Sequence, residues 1–132
     1  MSIQIKRYAK ADEDALFDLI RSEGEEWGDY ARDKNAVEKF KAALNNSIVY
    51  AAYSGDTLCG FIRVKDDDGF GVIIYDLLVH KNFRGNSYGR ELMRRVCSDF
   101  KDATVFVLSD EDGYYKKLGC KKVGTIFDVR EQ

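Results

Sequence analysis

Tyr75-Asp76-Leu77-Leu78-Val79-His80-Lys81-Asn82-Phe83-Arg84-Gly85-Asn86-Ser87-Tyr88-Gly89-Arg90-Glu91-Leu92-Met93 is the most informative stretch of this chain. An apolar strand runs through a few small and polar residues directly into a helix, whose stripe is Tyr88, Leu92, Met93, Val96, Cys97 and Phe100. Amide N–H groups at such a helix start converge on one spot together with the positive end of the helix dipole. That spot attracts a phosphate-sized anion. Gly85 and Gly89 permit positive φ or close backbone approach, and Arg84 adds forked donors that match phosphate oxygens. The same pattern also serves as an ordinary helix entry. It lacks the lysine of the nucleotide-triphosphate loop and the glycine triplet of dinucleotide folds, which counts against both of those ligands.

Upstream, Ile3, Ile5 and Arg7 alternate as a short strand, and Asp12 is placed to cap a helix with Ala15, Leu16, Leu19 and Ile20 at helical spacing. Gly24 ends it. A second amphipathic helix carries Ala36, Val37, Phe40, Ala43 and Leu44 on one face, with Asn35 and Glu38 as a capping box and Asn45-Asn46 as its stop. From Ser47 the pattern turns β-rich, with runs at 48–53, 58–64 and 72–79 joined by connections short enough for an antiparallel meander. Downstream of the long helix, a strand at 103–108 completes a strand-helix-strand crossover, which favours parallel pairing. A short helix over 111–118 closes at Gly119, and a last strand is expected within 121–129. This order predicts one α/β (α+β) domain over residues 1–132, its mixed, mostly antiparallel sheet flanked by helices.

The chain has 132 residues, 45% of them apolar, with eight tyrosines, eight phenylalanines and one tryptophan, enough for one core and hardly for two. Acidic residues outnumber basic ones 23 to 21 and the signs are interspersed, so no basic stripe exists for nucleic acid or an anionic membrane. Residues 1–10 lack the apolar core of a signal peptide, and no run approaches the roughly 20 apolar residues that span a bilayer, which predicts a cytoplasmic protein. Cys59, Cys97 and Cys120 are odd in number and embedded in apolar patterns, the usage of buried free thiols. With a single histidine, no metal site is expected.

The strand and turn resemble motif A of the GNAT superfamily N-acetyltransferases, written Q/RxxGxG/A after a strand ending in a pattern such as LxVxxxxR. Leu77, Val79, Arg84 and Gly89 match, and Ser87 replaces the middle glycine. The element order is the family's over essentially the whole chain. The resemblance implies a GNAT-like acyl-CoA N-acyltransferase fold, with one splayed parallel strand pair that opens a cleft for acetyl-CoA. The coenzyme's pyrophosphate would sit on Arg84, Gly85, Asn86, Ser87, Tyr88 and Gly89, and its pantetheine amides on the backbone of Leu77, Leu78 and Val79. Family members commonly carry one more strand after the last helix-strand unit. Here the terminal hairpin is shortened, or a neighbouring subunit completes that wall, so monomer and homodimer both stay open.

Gly113-Tyr114-Tyr115-Lys116-Lys117-Leu118-Gly119-Cys120 resembles the family's FYxxxGF ending of the next helix. The resemblance implies that Tyr115 lies beside the coenzyme sulfur and acts as general acid for the departing thiolate, with Tyr114 a core residue and Cys120 a packing thiol. No residue identifies itself as the base for the attacking amine. Glu25 and Glu26 in the loop after the first helix, and Asp76 on the splayed strand, are candidates. His80 is read as a surface histidine. The loop with Glu23, Glu25, Glu26, Trp27, Asp29 and Tyr30 suits a cationic acceptor, a small-molecule or peptide amine, through charge and ring faces. Two other functions fit the same residues: a non-catalytic acyl-CoA-binding or protein-interaction module, and a phosphate binder of unrelated fold.

Overall fold

The structure, a computed structural model, describes residues 2–130 apart from the side chain of Asp29; Met1, Glu131 and Gln132 lie outside the described residues. The strands are β1 (Gln4–Arg7), β2 (Ile48–Ser54), β3 (Thr57–Asp66), β4 (Val72–Val79) and β5 (Val105–Val107). The helices are α1 (Glu13–Ser22), α2 (Gly28–Arg32), α3 (Lys34–Asn45), α4 (Tyr88–Asp99) and α5 (Asp112–Lys117). The strands form one sheet in sequence order, antiparallel from β1 to β4 and parallel between β4 and β5.

The sheet is covered on both faces, and the alternation along its strands divides the core in two. On one face Phe61 and Leu78 meet Leu16, Leu19 and Ile20 of α1 and Phe40 and Leu44 of α3. On the other, Ile62, Val64, Val72 and Ile74 meet Tyr88, Leu92 and Val96 of α4. Each fully buried Leu, Ile or Val contributes roughly 1.5–3 kcal/mol. Among the described residues, no helix is long and apolar enough to cross a membrane.

Several local expectations change. Asp12 makes no side-chain cap on α1; it is buried, accepting the Ala9 amide at 2.8 Å and the Tyr53 hydroxyl at 2.5 Å. The cap of α3 is Asp33, which accepts from the Ala36 amide at 3.0 Å, so the helix starts before the Asn35 box. α2 has five residues, too few for a periodic signal. Residues 120–130 contain no strand, because a strand exists only with a ladder partner and no described residue supplies one. Of the cysteines only Cys59 is buried. Cys97 is exposed on α4, and Cys120 is exposed in the segment after α5.

Candidate active site

Parallel pairing between β4 and β5 covers only Val72↔Val105, Ile73↔Phe106 and Ile74↔Val107, extended by the Leu108 amide donating to the Ile74 carbonyl at 3.0 Å. β4 then runs on to Val79 without a β5 partner. The parting coincides with a break in register against β3, where Arg63 opposes Asp76 but Val64 opposes Ile74, leaving Tyr75 as the extra residue. Such a bulge bends the strand and raises its twist. Pairing with β5 therefore stops at Ile74, and the backbone of Leu77, Leu78 and Val79 has no β5 partner. Leu78 turns its side chain into the core; Leu77 and Val79 are half-buried against the α4 face.

At the end of β4, Lys81–Phe83 makes one turn of 3-10 helix, and His80 starts it by accepting the Asn82 amide at 3.0 Å on Nδ1. His80 is thus a half-buried turn residue. Gly85 then adopts φ +84° and Ser87 φ +65°, both left-handed. Ser87 is the N-cap residue of α4, but its hydroxyl makes no capping hydrogen bond. Serine here takes the backbone conformation that the missing glycine would supply. Two left-handed residues ahead of the first amides of a twelve-residue helix, with the positive end of its dipole, make a turn that suits an anion. Asn86 braces the turn by donating to the Phe83 carbonyl at 3.0 Å. The Tyr88 side chain is buried beside Phe83, so only its backbone faces the turn.

Arg84 does not swing freely. Its Nε donates to the Val79 carbonyl at 2.9 Å and its guanidinium pairs with Glu23 at 2.5 Å. The Glu23 side chain is 9% exposed against 52% for Arg84, so the carboxylate is the fixed partner. The loop after α1 is thereby tied to the turn before α4.

Tyr115 on α5 is half-buried, and burial, followed by the nearby Tyr114, Asp110, Cys120 and Glu111, pushes its phenol up to about 12. Tyr114 is not the core residue expected. It is 40% exposed, and a Cβ built on Gly89 would stand 2.2 Å from its hydroxyl. Gly89 thus leaves room for Tyr114 across the start of α4. The two tyrosine rings meet edge to face at 5.1 Å.

On the opposite face of the sheet, Asp76 is bound to Arg63, whose Nε donates at 2.5 Å; the two side chains are 14% and 15% exposed. Arg63 also donates to the Ser47 hydroxyl at 3.1 Å and lies over the Phe40 and Tyr75 rings. Trp27, Tyr30, Phe40 and Phe61 continue this floor as an aromatic chain, with Tyr30 stacked on Phe40 at 5.1 Å. Glu25 and Glu26 are exposed in the 3-10 turn Gly24–Trp27 at its edge.

The family model described as "Acetyltransferase (GNAT) family" matches residues 13–122. The chain belongs to that family. An N-acetyltransferase of Pyropia yezoensis named ycf52 and called uncharacterized is 30% identical over 96 residues, which are 65% of this GNAT chain and 55% of that protein. The chain therefore spans about half the length of the curated relatives it matches. Among solved structures, a GNAT family acetyltransferase from Streptococcus pneumoniae is 26% identical with a TM-score of 0.75, covering 98% of this chain and 100% of the other. The PaiA N-acetyltransferase of Thermoplasma acidophilum, solved in complex with coenzyme A, is 18% identical with a TM-score of 0.71, covering 90% and 88%. Its likeness is one of fold.

Within this GNAT domain the residues read from the sequence fall into separate groups. Leu77 to Val79 and Arg84 to Gly89 form one continuous wall, with Tyr114 reaching its end. Asp76 and Glu26 belong to the aromatic face instead, one paired and one exposed. Sequence reasoning missed Arg63, Tyr75 and Phe40 as members of that face, and the role of Glu23 toward Arg84. A cation inside the apolar run Phe61-Ile62-Arg63-Val64 was the available signal for the first.

Proposed function

We propose that this chain is an acetyl-CoA-dependent N-acetyltransferase acting on a small-molecule or peptide amine. The observation that carries the reading is the stretch of β4 without a β5 partner running into a helix start with two left-handed residues and no capping side chain. An extended pantetheine arm needs free strand backbone, and a pyrophosphate needs converging amides. The coenzyme A complex of the Thermoplasma relative supports the same assignment. Arg84 supplies a cation at the turn, reached through an exchange of its Glu23 partner or a sharing with it.

The reaction is direct transfer. The amine nitrogen attacks the thioester carbonyl carbon, the new C–N bond forms, and the C–S bond breaks with its electron pair going to sulfur. A proton leaves the amine, and a proton reaches the thiolate. An amide of the β4 wall is the donor available to the developing oxyanion. A phenol at about 12 remains protonated throughout the neutral range, so Tyr115 is a hydrogen-bond donor to the leaving sulfur. Full proton transfer to a thiolate whose conjugate acid has a pKa of about 8.5 is uphill, and water completes it. Asp76 serves the acceptor face by holding Arg63, which leaves the exposed Glu25 and Glu26, acting through water, as the carboxylates for the amine proton. Trp27 and Tyr30 offer ring faces to a cationic acceptor. Three free thiols suit a reducing compartment such as the cytoplasm.

A second reading, a non-catalytic acyl-CoA-binding module of the same fold, draws on one observation: neither Asp76 nor Glu26 is placed as a dedicated base. Thiol release from acetyl-CoA against a panel of amines separates the two. Turnover with at least one amine is expected; coenzyme binding with no thiol release from any amine would favour the module.

A further inference from the structure

Glu23 lies outside the strand-helix motif and is nevertheless tied to it. Its backbone closes α1, the amide donating to the Ile20 carbonyl at 3.1 Å, and α1 is fixed in the core by Leu16, Leu19 and Ile20. Gly24 then turns the chain at φ +76° into the 3-10 turn Gly24–Trp27, whose Trp27 ring meets Phe61 at 6.0 Å. A carboxylate at a helix C-terminus opposes the helix dipole, so α1 gains nothing from an acid at this position. What the side chain does have is Arg84, whose Nη2 donates to its Oε1 at 2.5 Å across 61 residues of sequence. Among the described residues it has no other hydrogen-bond or ion-pair partner. Arg84 in turn uses two of its five N–H groups, one on Glu23 and one on the Val79 carbonyl, and the rest have no partner among the described residues.

We propose that Glu23 is a positioning residue for the coenzyme: its carboxylate keeps Arg84 against the turn, and the guanidinium bridges Glu23 and a coenzyme phosphate instead of exchanging one for the other. This role rests on acetyl-CoA binding at that turn. Exchange would strand a carboxylate that is 9% exposed without its counter-charge, the unfavourable outcome for a buried pair. Sharing avoids it, because the N–H groups still unengaged on the half-exposed guanidinium can receive phosphate oxygens while Glu23 stays bound. Connectivity carries the effect further. Glu23 is the residue from which the turn with Glu25, Glu26 and Trp27 departs, so a phosphate that orders Arg84 also steadies that turn at the edge of the aromatic face. The carboxylate acts only through Arg84. The sign of its effect is diagnostic: by repulsion alone an acid near a polyanionic ligand weakens binding and its removal tightens it, whereas positioning predicts the reverse.

Calorimetric titration of the 132-residue chain and its Glu23 variants with acetyl-CoA is the test. Glu23→Ala should weaken affinity roughly tenfold, and Glu23→Gln, which keeps the shape and one acceptor oxygen, roughly threefold. In an Arg84→Ala background, Glu23→Ala should change affinity by less than about twofold, since the guanidinium through which the carboxylate acts is gone. Saturating acetyl-CoA should slow amide hydrogen exchange over residues 24–28 roughly fivefold in the parent and leave it unchanged in Glu23→Ala, a difference that a merely stabilising residue would not produce. Equal or tighter binding in both Glu23 variants, with the parent binding, would overturn the positioning role alone. So would an equal effect of Glu23→Ala with and without Arg84. No binding by the parent up to near-millimolar coenzyme would overturn the acetyl-CoA reading itself, and this role with it.

Discussion

Ser87 is the position at which the motif departs from its glycine and the backbone does not. At φ +65° an L-residue carries a left-handed penalty of roughly 1–2 kcal/mol, and serine, small and polar, falls at the low end. Ser87→Gly removes about 1 kcal/mol of that strain but frees the unfolded chain by about 0.4–1 kcal/mol. The net change in stability is therefore within about 0.5 kcal/mol, and acetyl-CoA affinity should stay within about threefold. Ser87→Val places a β-branched side chain where φ is positive, an outlier conformation, and should cost a further ~1–2 kcal/mol. If the turn relaxes instead of unfolding, that energy appears as a loss of roughly tenfold in coenzyme affinity, since about 1.4 kcal/mol is a factor of ten. Urea unfolding gives the first number and calorimetric titration with acetyl-CoA the second. Unchanged stability and affinity in Ser87→Val would refute the account of the turn, as would loss of binding in Ser87→Gly.

Three further outcomes follow from the same geometry. Asp76→Ala leaves Arg63 nearly buried without its carboxylate and should cost about 3 kcal/mol; a loss of turnover with no loss of stability would instead make Asp76 the base. Tyr115→Phe should lower turnover by roughly a hundredfold while acetyl-CoA affinity holds, and equal losses in both would make Tyr115 a packing residue. Tyr8, Tyr50 and Tyr53 are each pushed from 10.0 to about 12, mainly by burial, so folding favours their neutral forms. That stability is intact below pH 10.0 and is lost as the pH rises through the folded value, so the urea midpoint should fall between pH 10.0 and about 12. A flat midpoint across that window would contradict the burial of these phenols.

The meander, the crossover and the strand-to-helix turn were legible because each is a local pattern: period two in 48–79, helical spacing from Tyr88, small residues between. What was not legible depends on contacts distant in sequence. Arg63 meets Asp76 only because a bulge at Tyr75 sets the β3–β4 register. Tyr114 reaches Gly89 only once α5 has packed beside α4. Segment 121–129 has the alternating pattern of a strand, but a ladder needs a partner that composition does not reveal, and among the described residues the segment pairs with none. Cys97 shows the limit of a stripe, since a residue at its rim is apolar in pattern and exposed in place.

The central claim is that acetyl-CoA binds where β4 parts from β5 and α4 begins. Amide chemical shifts of the 132-residue chain, followed through a titration with acetyl-CoA, test it most directly. The largest changes are expected at Leu77, Leu78, Val79, Gly85, Asn86, Ser87 and Gly89. Changes confined to other amides, or none up to near-millimolar coenzyme, would contradict it.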